Sequence, residues 1–225
     1  MRVLSVNVGT AVEAEWAGRL RRTAIDKRRI SHRVGVLANG LAGDERADKE
    51  HHGSPDQAVY SYAREDYDWW EREIGRELRD GLFGENLTTS GLDVTGAVIG
   101  ERWRVGSAVL EVSGPRIPCV VFRNWMDEPG WVKRFTAAGR PGAYLRVVEL
   151  GELGAGDSVE VVSRPGAGIT VADWFRGRHG DADALRRILA VPGHDVEWDA
   201  MAEKVLGRRR PETGPAVGER PGAAV

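Results

Sequence analysis

The first two thirds of the chain consist of short runs of β-branched and aromatic residues separated by glycine-rich turns. Such runs predict strands at 3–8, 57–62, 102–105, 108–113, 144–150 and 158–162. Gly106 and Ser107 separate two of these runs and predict a hairpin turn. Strands at this density favour a barrel or a sandwich over a parallel sheet with alternating helices. We therefore expect a mainly β domain over residues 1–163.

Two helices are expected to interrupt the strands and to lie at the periphery of the β domain. Tyr67, Trp70, Ile74 and Leu78 are spaced so that they share one face of a helix. A second helix is expected over residues 128–138.

A small helical module is predicted after the β domain. Residues 164–168 are rich in proline and glycine, as linkers are. Thr170 is placed to cap a helix, with Asp173 in its first turn. The apolar spacing that follows predicts three helices, near 171–178, 182–190 and 197–206. We expect a three-helix module over 164–207 and a disordered tail over 208–225.

Three short helices form only a small core by themselves. Their apolar faces are therefore expected to pack on the β domain or on a second copy of the chain, so a homodimer is one expectation.

Charge and composition argue against several classes of protein. The 225-residue chain has a formal net charge of −2, so no basic field extends over it to hold a nucleic acid polymer or an anionic membrane. No apolar run is long enough to cross a bilayer. One cysteine cannot form an internal disulfide, and the first residues do not have a signal-peptide pattern. We expect a cytoplasmic protein with no membrane association.

The single cysteine, Cys119, follows Pro115, Arg116, Ile117 and Pro118. Because prolines restrict the backbone, they hold the thiol in one direction. A nearby arginine favours the thiolate, which is the form that ligates a soft metal or attacks an electrophile. A lone cysteine is, however, more often a buried packing residue. The spacing alone leaves both interpretations open.

Two polar segments are further candidates for a site. Residues 43–53 include His51 and His52, but no second cysteine or HExxH spacing completes a zinc site. This segment is either a solvated loop or a loop that lines a polar pocket. Residues 83–88 contain Asn86, whose amide can donate and accept hydrogen bonds, although an ordinary turn explains the segment equally well.

Residues 16–33 carry seven lysines and arginines against one acidic residue. Such a stretch can bind a phosphate group, or it can be a charged edge strand that is protected from pairing. The sequence contains no Walker loop, no complete GxGxxG and no GxSxG nucleophile elbow.

Taken in order, these segments resemble the MOSC family, which is named for the molybdenum cofactor sulfurase C-terminal domain, and in particular its YiiM-like branch. The matching segments are 23–28, 43–53, 56–62, 83–88, 99–103, 115–119 and 144–148. Residues 169–173 resemble the start of the three-helix module of that branch. The resemblance covers residues 1–207 and implies a MOSC-type β-barrel followed by a small all-α module.

The resemblance also implies a molybdenum cofactor, molybdopterin carrying Mo. Cys119 would be the protein ligand to the metal, and the pterin dithiolene would supply the other sulfur ligands. Lys27 resembles a lysine that meets the phosphate of the cofactor. Arg46 falls near a phosphate-binding arginine of distant relatives.

Other pocket residues follow from the same resemblance. His52, Asn86 and Arg116 would shape the pocket and handle protons. Two positions depart from the usual pattern of the family. Ser54 stands where a second glycine follows the histidine, and Glu101 stands where an aspartate precedes the hairpin.

The leading hypothesis for function is a molybdenum-dependent oxidoreductase that reduces small N-hydroxylated compounds, such as hydroxylaminopurine-like bases, to amines. Such a reaction would serve detoxification, and the cofactor would perform its redox step. The chain lacks the cysteines of an iron–sulfur cluster, so a separate flavin or iron–sulfur protein would donate electrons. The alternatives are a carrier of the molybdenum cofactor or of persulfide sulfur without redox turnover, and an interaction module with an inert Cys119.

Overall fold

The computed structural model describes residues 1–47, 54–166, 168–192 and 197–207. Within these ranges the chain forms thirteen strands: β1 (Arg2–Val8), β2 (Val12–Glu13), β3 (Arg22–Thr23), β4 (Arg28–Arg29), β5 (Val34–Leu37), β6 (Gly40–Leu41), β7 (Val59–Ala63), β8 (Leu87–Ser90), β9 (Arg102–Val105), β10 (Ala108–Pro115), β11 (Ala143–Glu149), β12 (Gly151–Leu153) and β13 (Val159–Ser163).

The same ranges contain six α-helices: α1 (Arg64–Ile74), α2 (Val120–Met126), α3 (Trp131–Ala138), α4 (Val171–Arg178), α5 (Ala182–Leu189) and α6 (Glu197–Leu206). Two short 3-10 helices cover Gly18–Leu20 and Pro55–Gln57. Among the helices described, none has the length and hydropathy needed to cross a membrane.

Eight strands form one sheet in the order β13-β9-β10-β11-β7-β8-β1-β4. All neighbours are antiparallel except β7 and β8. The sheet closes between β1 and β13: Arg2 of β1 bridges Ser158 beside β13, and the Val3 amide donates to the Asp157 carbonyl at 2.9 Å. The prediction of a mainly β, barrel-type domain with peripheral helices is confirmed.

The β9–β10 hairpin shows why the strand predictions succeed. Trp103 and Val105 are buried, whereas Arg102 and Arg104 between them are exposed, which is the alternation of a strand with one face on the core. Gly106 occupies the turn with φ at 59°, and a Cβ there would lie 2.3 Å from the Glu152 carbonyl oxygen. The turn therefore requires glycine.

Some predicted boundaries are wrong by a few residues. The strand predicted from residue 57 begins at Val59, because Pro55 starts a 3-10 turn that Ser54 caps through the Asp56 amide (3.2 Å). The first helix ends before Leu78, because Gly75 takes a left-handed conformation with φ at 71°. Leu78 is nevertheless buried, on the aromatic cluster described next.

An aromatic cluster joins the barrel to the helices α1, α2 and α3. Its buried members include Tyr62, Trp70, Phe83, Phe122, Trp131 and Phe135. The helix predicted over 128–138 is confirmed as α3, although it begins at Trp131. Helix α2 was not expected; it begins directly after Cys119 and places Phe122 in this cluster.

The C-terminal helices pack on the barrel of the same chain. Thr170 caps α4 as predicted, with its hydroxyl accepting from the Asp173 amide at 3.0 Å. The Val171 amide donates to the Ala97 carbonyl at 2.9 Å, and Phe175 packs in the aromatic cluster. Leu185, Ile188 and Trp198 form a separate small core among the three helices.

These contacts bury part of the apolar faces within one chain, and the expected homodimer stays a prediction. Strand β13 ends at Ser163 and α4 begins at Val171, while the domain limits 1–163 and 164–207 stay predictions. The predicted tail, 208–225, lies outside the described residues.

Candidate functional site

A cleft gathers residues that lie far apart in the sequence. Its walls come from the segment between Leu20 and Lys27, the loop 44–47, the loop before β8, the turn between β10 and α2, and the starts of β7 and β11. Five of the six residues predicted for the site line it: Lys27, Arg46, Asn86, Arg116 and Cys119. The sixth, His52, lies outside the described residues.

Cys119 occupies the N-cap position of α2, with an extended backbone (φ −122°, ψ 175°). Its carbonyl accepts a hydrogen bond from the Arg123 amide at 3.0 Å, and its thiol makes no capping bond. The residue is half-buried and its thiol is free. The structure therefore places a reduced thiol at the cleft rather than in the interior of the core.

Arg116 lies in the same turn and is only 7% exposed. Its guanidinium carbon is 3.6 Å from the centre of the Phe122 ring and 5.6 Å from that of Tyr60. Its Nη1 atom is buried and has no hydrogen-bond partner within the described part of the chain. This arginine is therefore a buried cation with an unused donor beside the thiol.

Lys27 is buried as well, but its charge is paired. Its ammonium group forms an ion pair with Asp44, whose side chain is 5% exposed. The same carboxylate accepts hydrogen bonds from the Gly9 amide at 2.8 Å and from the Asn86 amide at 2.9 Å. Burial lowers the pKa of Lys27. The ion pair with Asp44 opposes this shift, and the nearby positive charge of Arg46 adds to it.

Asn86 lines the cleft and connects three segments of the chain through its side chain. Its Nδ2 donates to the Asn7 carbonyl at 3.2 Å and to Asp44, and its Oδ1 accepts from the Tyr60 amide at 3.1 Å. Both amide hydrogens are engaged in these bonds. The geometry gives Asn86 a positioning role, while the catalytic role predicted for it stays a prediction.

Arg46 lines the cleft and binds two backbone carbonyls. Its Nη2 donates to the carbonyls of Asn39 and Ala58, the latter at 3.0 Å. Burial lowers the pKa of Arg46, and the coulombic attraction of Asp44 opposes this shift. The arginine fixes the turn between β5 and β6 against the start of β7.

The basic stretch 16–33 does not enter the cleft as a unit. Of its seven cations, Arg22 and Lys27 line the cleft. Strand β4 (Arg28–Arg29) lies at the edge of the main sheet, as the charged-edge interpretation requires. Three of the other arginines form ion pairs: Arg21 with Glu15, Arg28 with Asp26, and Arg33 with Asp157.

Sequence reasoning missed two members of the site. Asp44 fixes both Lys27 and Asn86, and its only signal was the Gly-Asp pair within the resemblance. Tyr144 lines the cleft near Arg116 and Cys119. Burial raises the pKa of Tyr144, and the positive charge of Arg116 partly offsets this shift. The hydroxyl of Tyr144 is therefore a neutral donor at neutral pH. Its signals were a place at the start of a predicted strand and at the start of segment 144–148 of the resemblance.

One side of the cleft is apolar. Leu20, Ile25, Ile117 and Val121 line it, and Leu20 and Ile117 are 52% and 38% exposed. The arrangement combines a half-buried thiol, a buried cation and the neutral hydroxyl of Tyr144 with an apolar rim. It suits a ligand that has an anionic end and an apolar body. Among the residues described, no group of three or more His, Cys, Asp or Glu side chains is arranged to hold a metal ion.

Comparison with known proteins identifies the family to which a chain with this fold and cleft belongs. The family model of the MOSC domain matches residues 48–160, and the chain belongs to this family. The predicted family is thereby confirmed, and membership ties the chain to the biochemistry of the molybdenum cofactor.

Individual relatives place the chain in the YiiM-like branch. The crystal structure of YiiM from Geobacillus stearothermophilus superposes with a TM-score of 0.69 at 28% identity, covering 91% of this chain and 98% of that one. The Bacillus subtilis protein YflK is 36% identical over 212 residues, which are 93% of this chain and 96% of YflK.

A protein of Gibberella moniliformis named Reductase is 31% identical over 218 residues. The match covers 94% of this chain but 38% of that protein. The region similar to this chain is therefore one part of a longer polypeptide.

Proposed function

We propose that this chain is a molybdenum-cofactor-dependent oxidoreductase that reduces N-hydroxylated compounds, such as hydroxylaminopurine-like bases, to amines. The observation that carries the proposal is the placement of the half-buried Cys119 thiol and the buried Arg116 cation in one cleft of a MOSC domain. The similarity to a protein named Reductase supports a redox role.

The residues present fit the cofactor. A thiolate is a suitable ligand for a thiophilic metal, and Cys119 is a free thiol at the cleft. A phosphate needs cations or amide donors, and Arg116 has a buried nitrogen without a partner among the described residues. Cys119 would hold the metal, and Arg116, with Lys27 and Arg46 nearby, would face the phosphate. When bound, the cofactor would supply the two-electron chemistry that side chains lack.

The side chains of the cleft would bind the substrate and manage protons. Overall, a hydroxylamine takes up two electrons and two protons and becomes an amine and water. The neutral hydroxyl of Tyr144 can donate a hydrogen bond to a ligand oxygen. Lys27, whose pKa burial lowers, releases a proton more readily than an exposed lysine does. The apolar rim of Leu20 and Ile117 would receive the body of the base.

Electrons would come from a separate flavin or iron–sulfur protein. The Gibberella protein is consistent with such an arrangement, because most of its length lies outside the region that this chain matches. The remaining part of that polypeptide is long enough to contain a module that donates electrons.

The direct test is turnover. Protein made in a host that synthesises the cofactor is incubated with 6-hydroxylaminopurine and a reduced viologen, and adenine is quantified. We expect adenine from the parent protein and none above background from Cys119→Ser. Val120→Ser, which changes an exposed neighbour (45% exposed) and keeps the thiol, should retain activity. Full activity of Cys119→Ser at the parent metal content would refute the proposal.

A cofactor carrier is the second candidate, since the thiol is only half-buried and the rim beside it is exposed. A carrier releases its cofactor to an apo-enzyme in solution and shows no turnover. A persulfide carrier instead yields sulfane sulfur at Cys119 and no molybdenum. Activation of an apo-enzyme by the purified protein, measured beside the turnover assay, distinguishes these functions.

A further inference from the structure

We infer that Arg116 forms an oxyanion-binding subsite of the cleft, in which its guanidinium binds a phosphate-type group, and that Lys27 is a neutralised structural cation. This assignment differs from the one that family resemblance implies, in which the lysine meets the phosphate. The inference concerns residues of the apo-protein, so it can be tested independently of the proposed reaction.

The two cations differ in their counter-ions. Lys27 is paired with the buried carboxylate of Asp44, and a phosphate approaching it would also meet that negative charge. Within the described residues, no carboxylate forms an ion pair with Arg116, and its Nη1 has no hydrogen-bond partner. A guanidinium stays charged inside a protein, and a buried charge without a partner is costly. A bound anion would supply the missing partner.

Aromatic rings around Arg116 fix the position of its guanidinium, as binding of an anion requires. Its plane is supported by the Phe122 ring at 3.6 Å, with Tyr60 at 5.6 Å. Contact with aromatic rings holds a guanidinium while its N–H groups stay available for a bidentate bond to phosphate oxygens. Tyr144, a neutral hydroxyl that interacts with Arg116, provides a further donor. Arg46, by contrast, already binds two backbone carbonyls.

The subsite would recognise a tetrahedral oxyanion, and a phosphate monoester is its expected ligand. Such a group can belong to a pterin cofactor or to a phosphorylated substrate. The chemistry at Arg116 is the same in both cases, so inorganic phosphate is a suitable probe.

The test is a titration of the cofactor-free full-length chain with inorganic phosphate at constant ionic strength, followed in ¹H–¹⁵N spectra that include the arginine Nε–Hε signals. We expect the Arg116 signal to shift. Phosphate should bind about 10-fold or more weakly to Arg116→Met. Arg123→Met, which removes an exposed arginine from α2, should bind as the parent does. An equal loss in both variants would show only a general charge effect and would overturn the inference.

A double variant separates Arg116 from Lys27. Lys27→Met with Asp44→Asn removes both charges of the buried pair, and we expect it to lose less than about 3-fold in phosphate affinity. A greater loss there than in Arg116→Met would make Lys27 the receptor and refute the inference.

Thermal unfolding provides a readout that a purely structural arginine would not share. In anion-free buffer Arg116→Met should be at least as stable as the parent, because it removes a buried charge that no carboxylate among the described residues balances. Phosphate should raise the Tm of the parent and not that of the variant. A variant that is less stable without phosphate, and equally stabilised by it, contradicts the subsite. Arg116→Lys keeps the charge but cannot form the bidentate bond, so it should bind phosphate with intermediate affinity. This variant replaces Arg116→Met in the test if Arg116→Met does not fold.

The source of the anion is decided with cofactor-loaded protein. If the phosphate of the cofactor occupies the subsite, inorganic phosphate binds only the apo-protein. If the subsite belongs to the substrate, the loaded protein binds phosphate as well. Either outcome supports the subsite, and absence of phosphate binding from both forms overturns it.

Discussion

The guanidinium carbon of Arg116 lies 3.6 Å from the centre of the Phe122 ring, and these two residues flank Cys119 in the sequence. Phe122 is fully buried in the aromatic cluster, so its ring anchors one side of the turn and supports the arginine on the other. The position of the thiol therefore depends on a cation–aromatic contact as well as on the two prolines.

Truncating the Phe122 ring should destabilise the fold through the aromatic cluster and expose the thiol. Phe122→Leu leaves a partly unfilled site in the cluster, and we expect a loss of about 1–3 kcal/mol in the free energy of unfolding. Urea unfolding measures the loss, and the rate of Cys119 alkylation should rise. Val120→Ala, at an exposed position of the same helix, should change stability by no more than about 0.5 kcal/mol. Equal effects of the two variants would contradict this role of Phe122.

Breaking the Lys27–Asp44 pair should be costly. Asp44→Asn leaves a buried lysine without its counter-ion, and we expect a loss of about 3–5 kcal/mol. In the double variant Lys27→Met with Asp44→Asn, the loss should be smaller than the sum of the two single losses. A double-mutant cycle by urea unfolding measures this coupling. Strict additivity would mean that the two side chains do not stabilise each other.

The buried acid Glu85 predicts a specific dependence of stability on pH. It accepts hydrogen bonds from the neutral hydroxyls of Tyr67 (2.7 Å) and Thr88 (2.8 Å). Burial raises its pKa above the ordinary value of 4.5, although these bonds oppose the shift. The folded state then binds the proton more tightly than the unfolded chain does. This contribution to stability is fully present below pH 4.5 and is lost as the pH rises through the raised pKa.

Glu85→Gln isolates that contribution, because the amide cannot ionise. The free energy of unfolding of the parent, minus that of the variant, should fall as the pH rises from 4.5. Chemical unfolding at several pH values measures the difference. A difference that is constant over this window would mean that Glu85 titrates as it does in the unfolded chain.

Removing the cap of α4 should weaken the attachment of the helical module. Thr170→Ala removes the acceptor for the Asp173 amide, and we expect a loss of about 0.5–2 kcal/mol. Thr170→Ser keeps the hydroxyl and should behave as the parent protein does. Hydrogen exchange of the amides in α4 should accelerate only in the alanine variant, and unchanged exchange there would contradict the capping role.

Strands with clear alternation and helices with an apolar face could be predicted from the sequence. The hairpin at Gly106 and the cap at Thr170 were likewise predictable, because local chemistry determines both. The two-residue strands β2, β3, β4 and β6 were not, since two residues carry no period and pair only because the barrel places a partner beside them. Helix α2 was missed because it has seven residues and no side-chain cap.

The cleft was predictable only through the order of its motifs. Lys27, Asn86 and Cys119 meet because the barrel brings together the ends of strands that are distant in the sequence. Nothing near Lys27 in the chain indicates that Asp44, 17 positions away, neutralises it. Likewise, no sequence signal indicates that Arg116 has no counter-ion among the described residues, because this is a property of the folded structure.

The central claim, that Cys119 anchors a molybdenum cofactor, is tested most directly by elemental and pterin analysis. Parent protein and Cys119→Ser are purified from the same cofactor-competent host, and molybdenum and pterin are measured per chain. We predict close to one molybdenum and one pterin per parent chain, and loss of molybdenum from Cys119→Ser. Equal molybdenum in the two proteins, or none in the parent, would contradict the account.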